Sequence, residues 1–115
     1  IGIENPNQAI NNKFIKTIHL KNQALASSGN YRKYKVDPDT GERFVHSINP
    51  HTGFATATKV LSTSVKAIDC MTADAWATAL MVIPLEVGKK LIENDPELDA
   101  LWIVDQNKII TSKNF

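Results

Sequence analysis

The chain has 115 residues, of which 43% are hydrophobic, and its 13 basic and 12 acidic residues give a formal net charge of +1. This length suits one compact domain with a modest core, because chains of this size bury only about two-thirds of their unfolded surface. The balanced charge provides no large field that would attract nucleic acid or an anionic membrane. No apolar run reaches the roughly 18 residues of a membrane span.

The N-terminal part is predicted to form three strands. Ile1-Gly2-Ile3 reads as a short strand, and because it opens the sequence without an initiator Met, we expect a fragment of a larger fold. Phe14 to Leu20 predicts a second strand with mixed faces, which suits an antiparallel sheet. Ala24 to Ser28 predicts a third strand ending at Gly29-Asn30, where small residues let the backbone approach a ligand or another segment.

Two turn signals divide the central part of the chain. Asp37-Pro38-Asp39-Thr40-Gly41 predicts a hairpin between strands from Tyr31 to Val36 and from Glu42 to Ile48. Asn49 to Gly53 predicts a second turn. Val60 to Ile68 alternates small polar and apolar side chains, as a half-buried strand does.

Helical periodicity begins only after this strand. Thr72 is the predicted N-cap of a first helix, with Asp74 in the first turn, where the helix dipole favours an anion. A second helix is expected from Pro84 to about Asn94. Leu101 to Val104 and Lys108 to Thr111 predict a final hairpin.

This order of elements predicts an α+β fold with a mostly antiparallel sheet and two consecutive helices. The expected interior includes Trp76, Trp102 and the helix face that carries Leu80 and Ile83. The single cysteine, Cys70, cannot form an intrachain disulfide and lacks the paired spacing of a zinc or redox site. We therefore expect it to pack in the interior.

Asp74 and Thr78 are four residues apart on the first predicted helix, so their side chains share one face. A carboxylate and a hydroxyl are hard oxygen donors that suit Mg²⁺. The spacing alone favours an ordinary role, in which Asp74 is a helix anion and Thr78 bonds back to the carbonyl of residue 74.

The segment from His46 to Gly53 concentrates a titratable base, a turn and small polar donors in eight residues. A histidine can accept a hydroxyl proton at neutral pH, and turn amides near Thr52 and Gly53 could face an anion. By itself the segment is more typical of a surface hairpin end, in which Asn-Pro and Thr-Gly simply set the turn geometry. Backbone groups of the segment from Ser27 to Tyr31 could bind a planar or phosphorylated ligand. Ser-Gly-Asn is, however, also a common sequence in ordinary loops.

Four motifs are spread along essentially the whole chain: Ile-Gly-Ile-Glu-Asn-Pro from Ile1, Ser-Ser-Gly-Asn-Tyr from Ser27, His-Ser-Ile-Asn-Pro-His-Thr-Gly from His46 and Met-Thr-Ala-Asp-Ala-Trp-Ala-Thr-Ala-Leu from Met71. Together, and in this order, they resemble the C-terminal half of the ApbE family of FAD:protein FMN transferases. The resemblance implies that residues 1–115 are the C-terminal half of an ApbE-like (T-fold-like) domain whose N-terminal half is absent.

The resemblance also implies roles for individual residues. Asp74 and Thr78 match the magnesium ligands of the helix motif, which reverses the interpretation from spacing alone. His46 resembles the base that acts on the acceptor threonine, and Ile48 matches a position that contacts the flavin. The remaining matches lie in loops near the cofactor: Ser28, Gly29, Thr52 and Gly53.

Several positions depart from the family pattern without removing a central group. Ala55 stands where proline is frequent, Asn49 replaces a common aspartate, and Ala77 stands where some members carry a second carboxylate. The upstream half of the family supplies a Gly-rich segment, further metal and FAD contacts, and usually an export signal with a lipid-anchored cysteine. By resemblance, we expect the parent protein to be a lipoprotein on the periplasmic side of the bacterial inner membrane.

The implied reaction is a magnesium-dependent transfer of FMN from FAD to a threonine hydroxyl, with release of AMP. The expected partners are FAD and a threonine-containing acceptor, either a subunit of a membrane redox complex or another flavoprotein. Nucleic acid is not expected. Two alternatives remain open at this stage: an FAD pyrophosphatase, in which water replaces the threonine, and a non-catalytic flavin-binding or structural domain.

Overall fold

The computed structural model describes residues 1–6, 13–30, 34–36, 38–40, 43–48, 50–53, 55–57 and 59–115, with the backbone alone for 34–36, 43–48 and 55–57. The predicted strand residues 31–33 and 42, and the predicted turn positions 37, 41 and 49, lie outside the described residues. None of the described helices has both the length and the apolar character that crossing a bilayer requires.

Strands dominate the N-terminal part, and the helices form one consecutive pair. In chain order the elements are β1 Gly2–Glu4, β2 Phe14–Thr17, β3 Ala24–Gly29, β4 Tyr34–Val36, β5 Arg43–Ile48, β6 Ala55–Ala57, β7 Val60–Ala67, α1 Cys70–Val82, α2 Leu85–Glu93, β8 Asp99–Val104 and β9 Lys108–Thr111. The two helices and the final hairpin are confirmed. The second strand ends three residues earlier than predicted.

All strand pairs in the described structure are antiparallel, which confirms the predicted α+β fold class. β3, β7, β8 and β9 form the main sheet in that order, so β3 is an edge strand and β7 is central. β1 pairs with β2, and β4, β5 and β6 form a three-stranded sheet.

The prediction of a half-buried β7 is wrong. Seven of its eight residues are buried, and Lys66 is the exception. The physical reason is that both sides of this strand are covered: α1 and α2 pack on one face of the sheet, and residues from β1 and the segment after β2 pack on the other. Small polar side chains therefore become interior residues, as Thr63 and Ser64 do.

The main sheet separates two hydrophobic cores. The core on the helix side contains Trp102, which is almost fully buried as predicted, together with Leu80 and the flanking Ile83. The core on the other side is smaller and includes Ile3, Leu61, Leu101 and Ile103. Because strand side chains alternate between faces, the sheet contributes to both cores at once.

The start of α1 differs from the prediction. Asp69, rather than Thr72, is the N-cap: its backbone is extended and its carboxylate accepts a hydrogen bond from the Thr72 amide at 2.7 Å. The helix begins at Cys70, so Asp74 lies beyond the first turn. Hydrogen bonds from the backbone amide and then the side chain of Thr72 hold the pKa of the Asp69 carboxyl below its ordinary value.

Two predicted interior positions also need correction. Cys70 is exposed, as are residues 68–71 around it, because the buried face of α1 begins only at Ala73. Trp76 is only partly buried and packs at the margin of the helix-side core.

We predict that the Asp69 cap makes stability depend on pH. A depressed folded-state pKa contributes stability that is present above the ordinary pKa of 3.8 and is lost as the pH falls through the lower folded-state value. Asp69→Ala should lower the urea midpoint at neutral pH, and its difference from wild type should shrink in acid. Asp69→Asn is the matched control, because its amide oxygen can cap without titrating. An equal loss from Asp69→Ala at every pH would contradict the assignment.

Candidate functional site

Helix α1 presents two oxygen-bearing side chains on its outer face. Asp74 and Thr78 are both exposed and lie about one helical turn apart. The opposite face consists of small and aliphatic residues that are fully buried against the sheet: Ala73, Ala77 and Leu80. The predicted pair therefore shares an open face of the helix.

A buried hydrogen bond fixes this helix on the central strand. The Thr63 hydroxyl donates to the Ala77 carbonyl oxygen at 2.6 Å. Ser28 lies opposite Thr63 in the β3–β7 pair, and directly opposed residues point to the same face of a sheet. Ser28 therefore also faces α1, and its Oγ lies 3.3 Å from Thr78 Oγ1. Two motifs that are 50 residues apart in the chain meet here.

The residue after the Ser-Gly pair holds the end of β3 in place. Asn30 is buried, its backbone amide donates to the Leu61 carbonyl at 2.9 Å, and its side-chain amide donates to the Val60 carbonyl at 2.7 Å. These bonds join the end of β3 to the start of β7. They fix the position of Ser28 and Gly29 at the end of β3, so a ligand bound to α1 would lie close to these two residues.

The donor chemistry of the site fits Mg²⁺. This ion prefers hard oxygen ligands and often takes only one or two carboxylates from the protein, with water and substrate phosphate completing its octahedron. Asp74 supplies a carboxylate, and Thr78 and Ser28 supply neighbouring hydroxyls. Within the described residues, no cluster of three or more His, Cys, Asp or Glu side chains could hold a metal by itself. The pair would therefore share the ion with other oxygen donors.

The strand that carries the histidine motif lies next to the same helix. β5 includes His46 and Ile48, and Cα atoms of β5 approach those of α1 to within 8 Å. The side chains of His46 and Ile48 lie outside the described part, so their roles remain predictions. Thr52 and Gly53 form part of an exposed turn between β5 and β6, and Gly53 adopts a positive φ of 72°. This conformation favours glycine.

Sequence analysis missed the residues that position the site. Thr63 and Asn30 connect β7 to α1 and β3, respectively. The only sequence signal for Asn30 was its place in the Ser-Gly-Asn loop. Nothing local marks Thr63, since its role depends on which helix residue packs above it.

Comparisons with known proteins point to one family. The sequence profile of the ApbE family matches residues 1–102. An FAD:protein FMN transferase of Haemophilus influenzae is 38% identical over 114 residues, which are 99% of this chain and 32% of the relative.

Solved structures of the same family share the fold. The ApbE protein of Thermotoga maritima superposes with a TM-score of 0.77 and 30% identity, over 100% of this chain and 36% of its own. The flavin transferase ApbE of Vibrio cholerae gives a TM-score of 0.64 and 35% identity, over 81% of this chain and 29% of its own. The chain thus spans about a third of the length of these relatives. Its sequence profile, its relatives and its fold agree that the chain belongs to the ApbE family.

Proposed function

We propose that the chain forms part of the active site of an FAD:protein FMN transferase, which moves FMN from FAD to a threonine hydroxyl of an acceptor protein and releases AMP. The observation that carries this proposal is the approach of Ser28 Oγ to Thr78 Oγ1 at 3.3 Å, because it joins the Ser-Gly loop to the helix that bears Asp74. The family to which the chain belongs supports the same reaction.

The chemistry assigned to these residues is a phosphoryl transfer. The threonine oxygen attacks the FMN phosphorus, the bond from that phosphorus to the bridging oxygen breaks, and AMP leaves with that oxygen. His46 accepts the hydroxyl proton, a role that a neutral imidazole can perform near pH 7. The other residues act by positioning, which supplies much of the rate enhancement in phosphoryl transfer.

Asp74 and Thr78 are the residues that would hold Mg²⁺, with Ser28 beside them. When bound, the ion would neutralise charge on the pyrophosphate of FAD. Ile48, Gly29, Thr52 and Gly53 are proposed to bind the cofactor, as their motifs imply. The rest of the metal and FAD contacts are proposed to come from an N-terminal half outside residues 1–115.

The class of acceptor and the cellular location of the enzyme are also proposals. The acceptor would be a threonine-containing subunit of a membrane redox complex or another flavoprotein, and the enzyme would be a lipoprotein on the periplasmic side of the inner membrane. Fractionation of cells followed by labelling of lipid-modified proteins would test this placement.

The direct test mixes the full-length protein with FAD, Mg²⁺ and a candidate acceptor. We expect flavin fluorescence that remains on the acceptor after denaturation, together with one AMP for each flavin attached. Release of free FMN at the same rate with or without the acceptor would instead identify a pyrophosphatase. FAD binding without either product would identify a non-catalytic domain.

We predict that Asp74→Ala abolishes transfer at ordinary magnesium concentrations in the full-length enzyme, because the only carboxylate proposed as a metal ligand in this part is lost. Thr78→Ala should reduce transfer less, since water can replace a neutral hydroxyl. Glu93→Ala, which removes an exposed carboxylate from the end of α2, is the control and should keep wild-type activity. Full transfer by the Asp74 variant would show that the metal is held elsewhere.

His46→Ala should slow transfer by about 10²- to 10⁴-fold while FAD affinity changes little, because a general base contributes to the transition state more than to ground-state binding. Single-turnover rates and FAD titrations on the same variant measure both quantities. The control is His19→Ala, at an exposed position after β2. A parallel fall in rate and affinity would assign His46 to the flavin pocket instead of to proton transfer.

The 115-residue chain alone should bind FAD weakly or not at all and should transfer no FMN. Two side chains on one helix leave most of the octahedral positions of Mg²⁺ to water, and small-molecule sites normally enclose most of their ligand. Isothermal titration of FAD into the chain with Mg²⁺ present is the measurement. Micromolar or tighter binding to a monomer would mean that these residues build a complete site.

A further inference from the structure

The middle of helix α1 rests on the main sheet through very small side chains. Ala73 and Ala77 are fully buried there and belong to the helix-side core. Their methyl groups let the helix approach the strands closely, but apolar contact is non-directional. Packing at this point therefore sets the distance between helix and sheet more strongly than the position of the helix along its own axis.

Two hydrogen bonds give direction to this contact in the described part of the chain. The Thr63 hydroxyl donates to the Ala77 carbonyl oxygen at 2.6 Å, and both residues are fully buried. The other bond joins Ser28 Oγ and Thr78 Oγ1 at 3.3 Å and is exposed. The buried bond is shorter and is shielded from competing water, so it holds the helix more firmly than the exposed bond.

The two bonds also differ in their relation to a ligand. Ser28 and Thr78 belong to the proposed site, so the contact between them is open to change when a ligand binds. Thr63 lies beneath the helix, where a ligand on the outer face of α1 does not reach it. The bond from Thr63 can therefore keep α1 in one position in the free and in the loaded protein.

The end of β3 is held independently of the helix. Ser28 pairs with Thr63 through the antiparallel ladder, and Asn30 donates to the Leu61 carbonyl from its backbone and to the Val60 carbonyl from its side chain. Loss of the Thr63 hydroxyl would leave these contacts in place. It would release α1 alone, so the distance between Ser28 and Thr78 would change.

We propose that Thr63 is a positioning residue for the magnesium site: its hydroxyl holds Thr78, and with it Asp74 one turn away, beside the end of β3. This inference rests on the proposed function, which makes Asp74 and Thr78 the metal ligands. Thr63 acts through the Ala77 carbonyl, which belongs to the residue directly before Thr78. Mg²⁺ demands near-ideal octahedral geometry, so a displacement of both ligands lowers its affinity.

The first measurement is Mg²⁺ binding by the full-length protein in the presence of FAD, followed by titration calorimetry. Thr63→Val keeps the branched shape and removes the hydroxyl. It should raise the dissociation constant of Mg²⁺ roughly 10- to 100-fold, the usual effect of losing a group that orients a metal ligand. The transfer rate should recover at saturating Mg²⁺. Thr63→Ser keeps the hydroxyl and should bind Mg²⁺ as wild type does.

A disulfide cross-link measures the position of α1 without FAD or Mg²⁺. Ser28→Cys and Thr78→Cys are combined with Cys70→Ser, which removes an exposed competing thiol, and any further cysteine of the full-length protein is changed to serine. The two replaced oxygen atoms lie 3.3 Å apart. Because a disulfide forms only within a narrow geometry, the rate of closure by oxidised glutathione reports this distance. Adding Thr63→Val should slow closure several-fold, and adding Thr63→Ser should not.

Ser112→Ala is the matched control for a general loss of stability. Ser112 is 6% exposed, and its hydroxyl accepts a hydrogen bond from the Ala100 amide at 2.9 Å, so this variant loses an interior hydroxyl contact that does not involve α1. It should lower the urea midpoint and leave Mg²⁺ affinity and cross-linking unchanged. If Thr63→Val does not fold, Thr63→Ala removes the same hydroxyl without placing a methyl group against the Ala77 carbonyl.

The outcomes separate this inference from the proposed function. Wild-type Mg²⁺ affinity in the variants without the Thr63 hydroxyl would overturn the inference, whether or not cross-linking slows. Equal losses in Ser112→Ala would overturn it too, because they would show an effect of stability alone. Either result, with FMN transfer intact in the wild type, leaves the proposed function standing. Cross-linking and Mg²⁺ binding that depend on Thr63, in a protein that transfers no FMN, would support the positioning role and remove the proposed function.

Discussion

The candidate site depends on one buried hydrogen bond, from the Thr63 hydroxyl to the Ala77 carbonyl oxygen. Backbone carbonyls inside an α-helix are normally occupied by the helix itself, and this second bond uses the remaining lone pair to tie α1 to the centre of the sheet. A neutral bond of this kind contributes only about 0.5 to 1.5 kcal/mol. Its larger effect is geometric, because it sets which helix residue stands above the end of β3, and that residue is Thr78.

The composition of α1 allows this close approach. Ala73 and Ala77 are fully buried, and their small side chains let the helix axis lie near the strands. Larger residues at these positions would hold the helix away and lengthen the contact between Ser28 and Thr78. The same helix therefore needs a small-residue face for packing and an oxygen-bearing face for chemistry. Four-residue spacing satisfies both, since it returns side chains to the same face.

β7 carries polar side chains on both faces of the sheet. Thr63 points to the helix and has a defined protein partner, whereas its neighbours Ser62 and Ser64 point to the other face. Interior polar groups normally require hydrogen bonds. Thr63 meets this requirement through the Ala77 carbonyl oxygen, and Ser64 meets it through Ser27 Oγ at 2.7 Å. The edge strand β3 repeats this division, with Ser28 toward Thr78 of α1 and Ser27 toward Ser64 on the other face.

The sequence by itself determined the antiparallel α+β fold class, the two helices, the final hairpin and the family, because these follow from local periodicity, turn residues and motif order. It also placed Asp74 and Thr78 on one helix face. The misassigned cap of α1 was a choice between two locally favourable residues, Asp69 and Thr72. Tertiary structure alone decided that β7 is buried on both sides and that Ser28 meets Thr78. Burial and contact between distant segments depend on strand order and on what packs above each face, and local patterns carry no information about either.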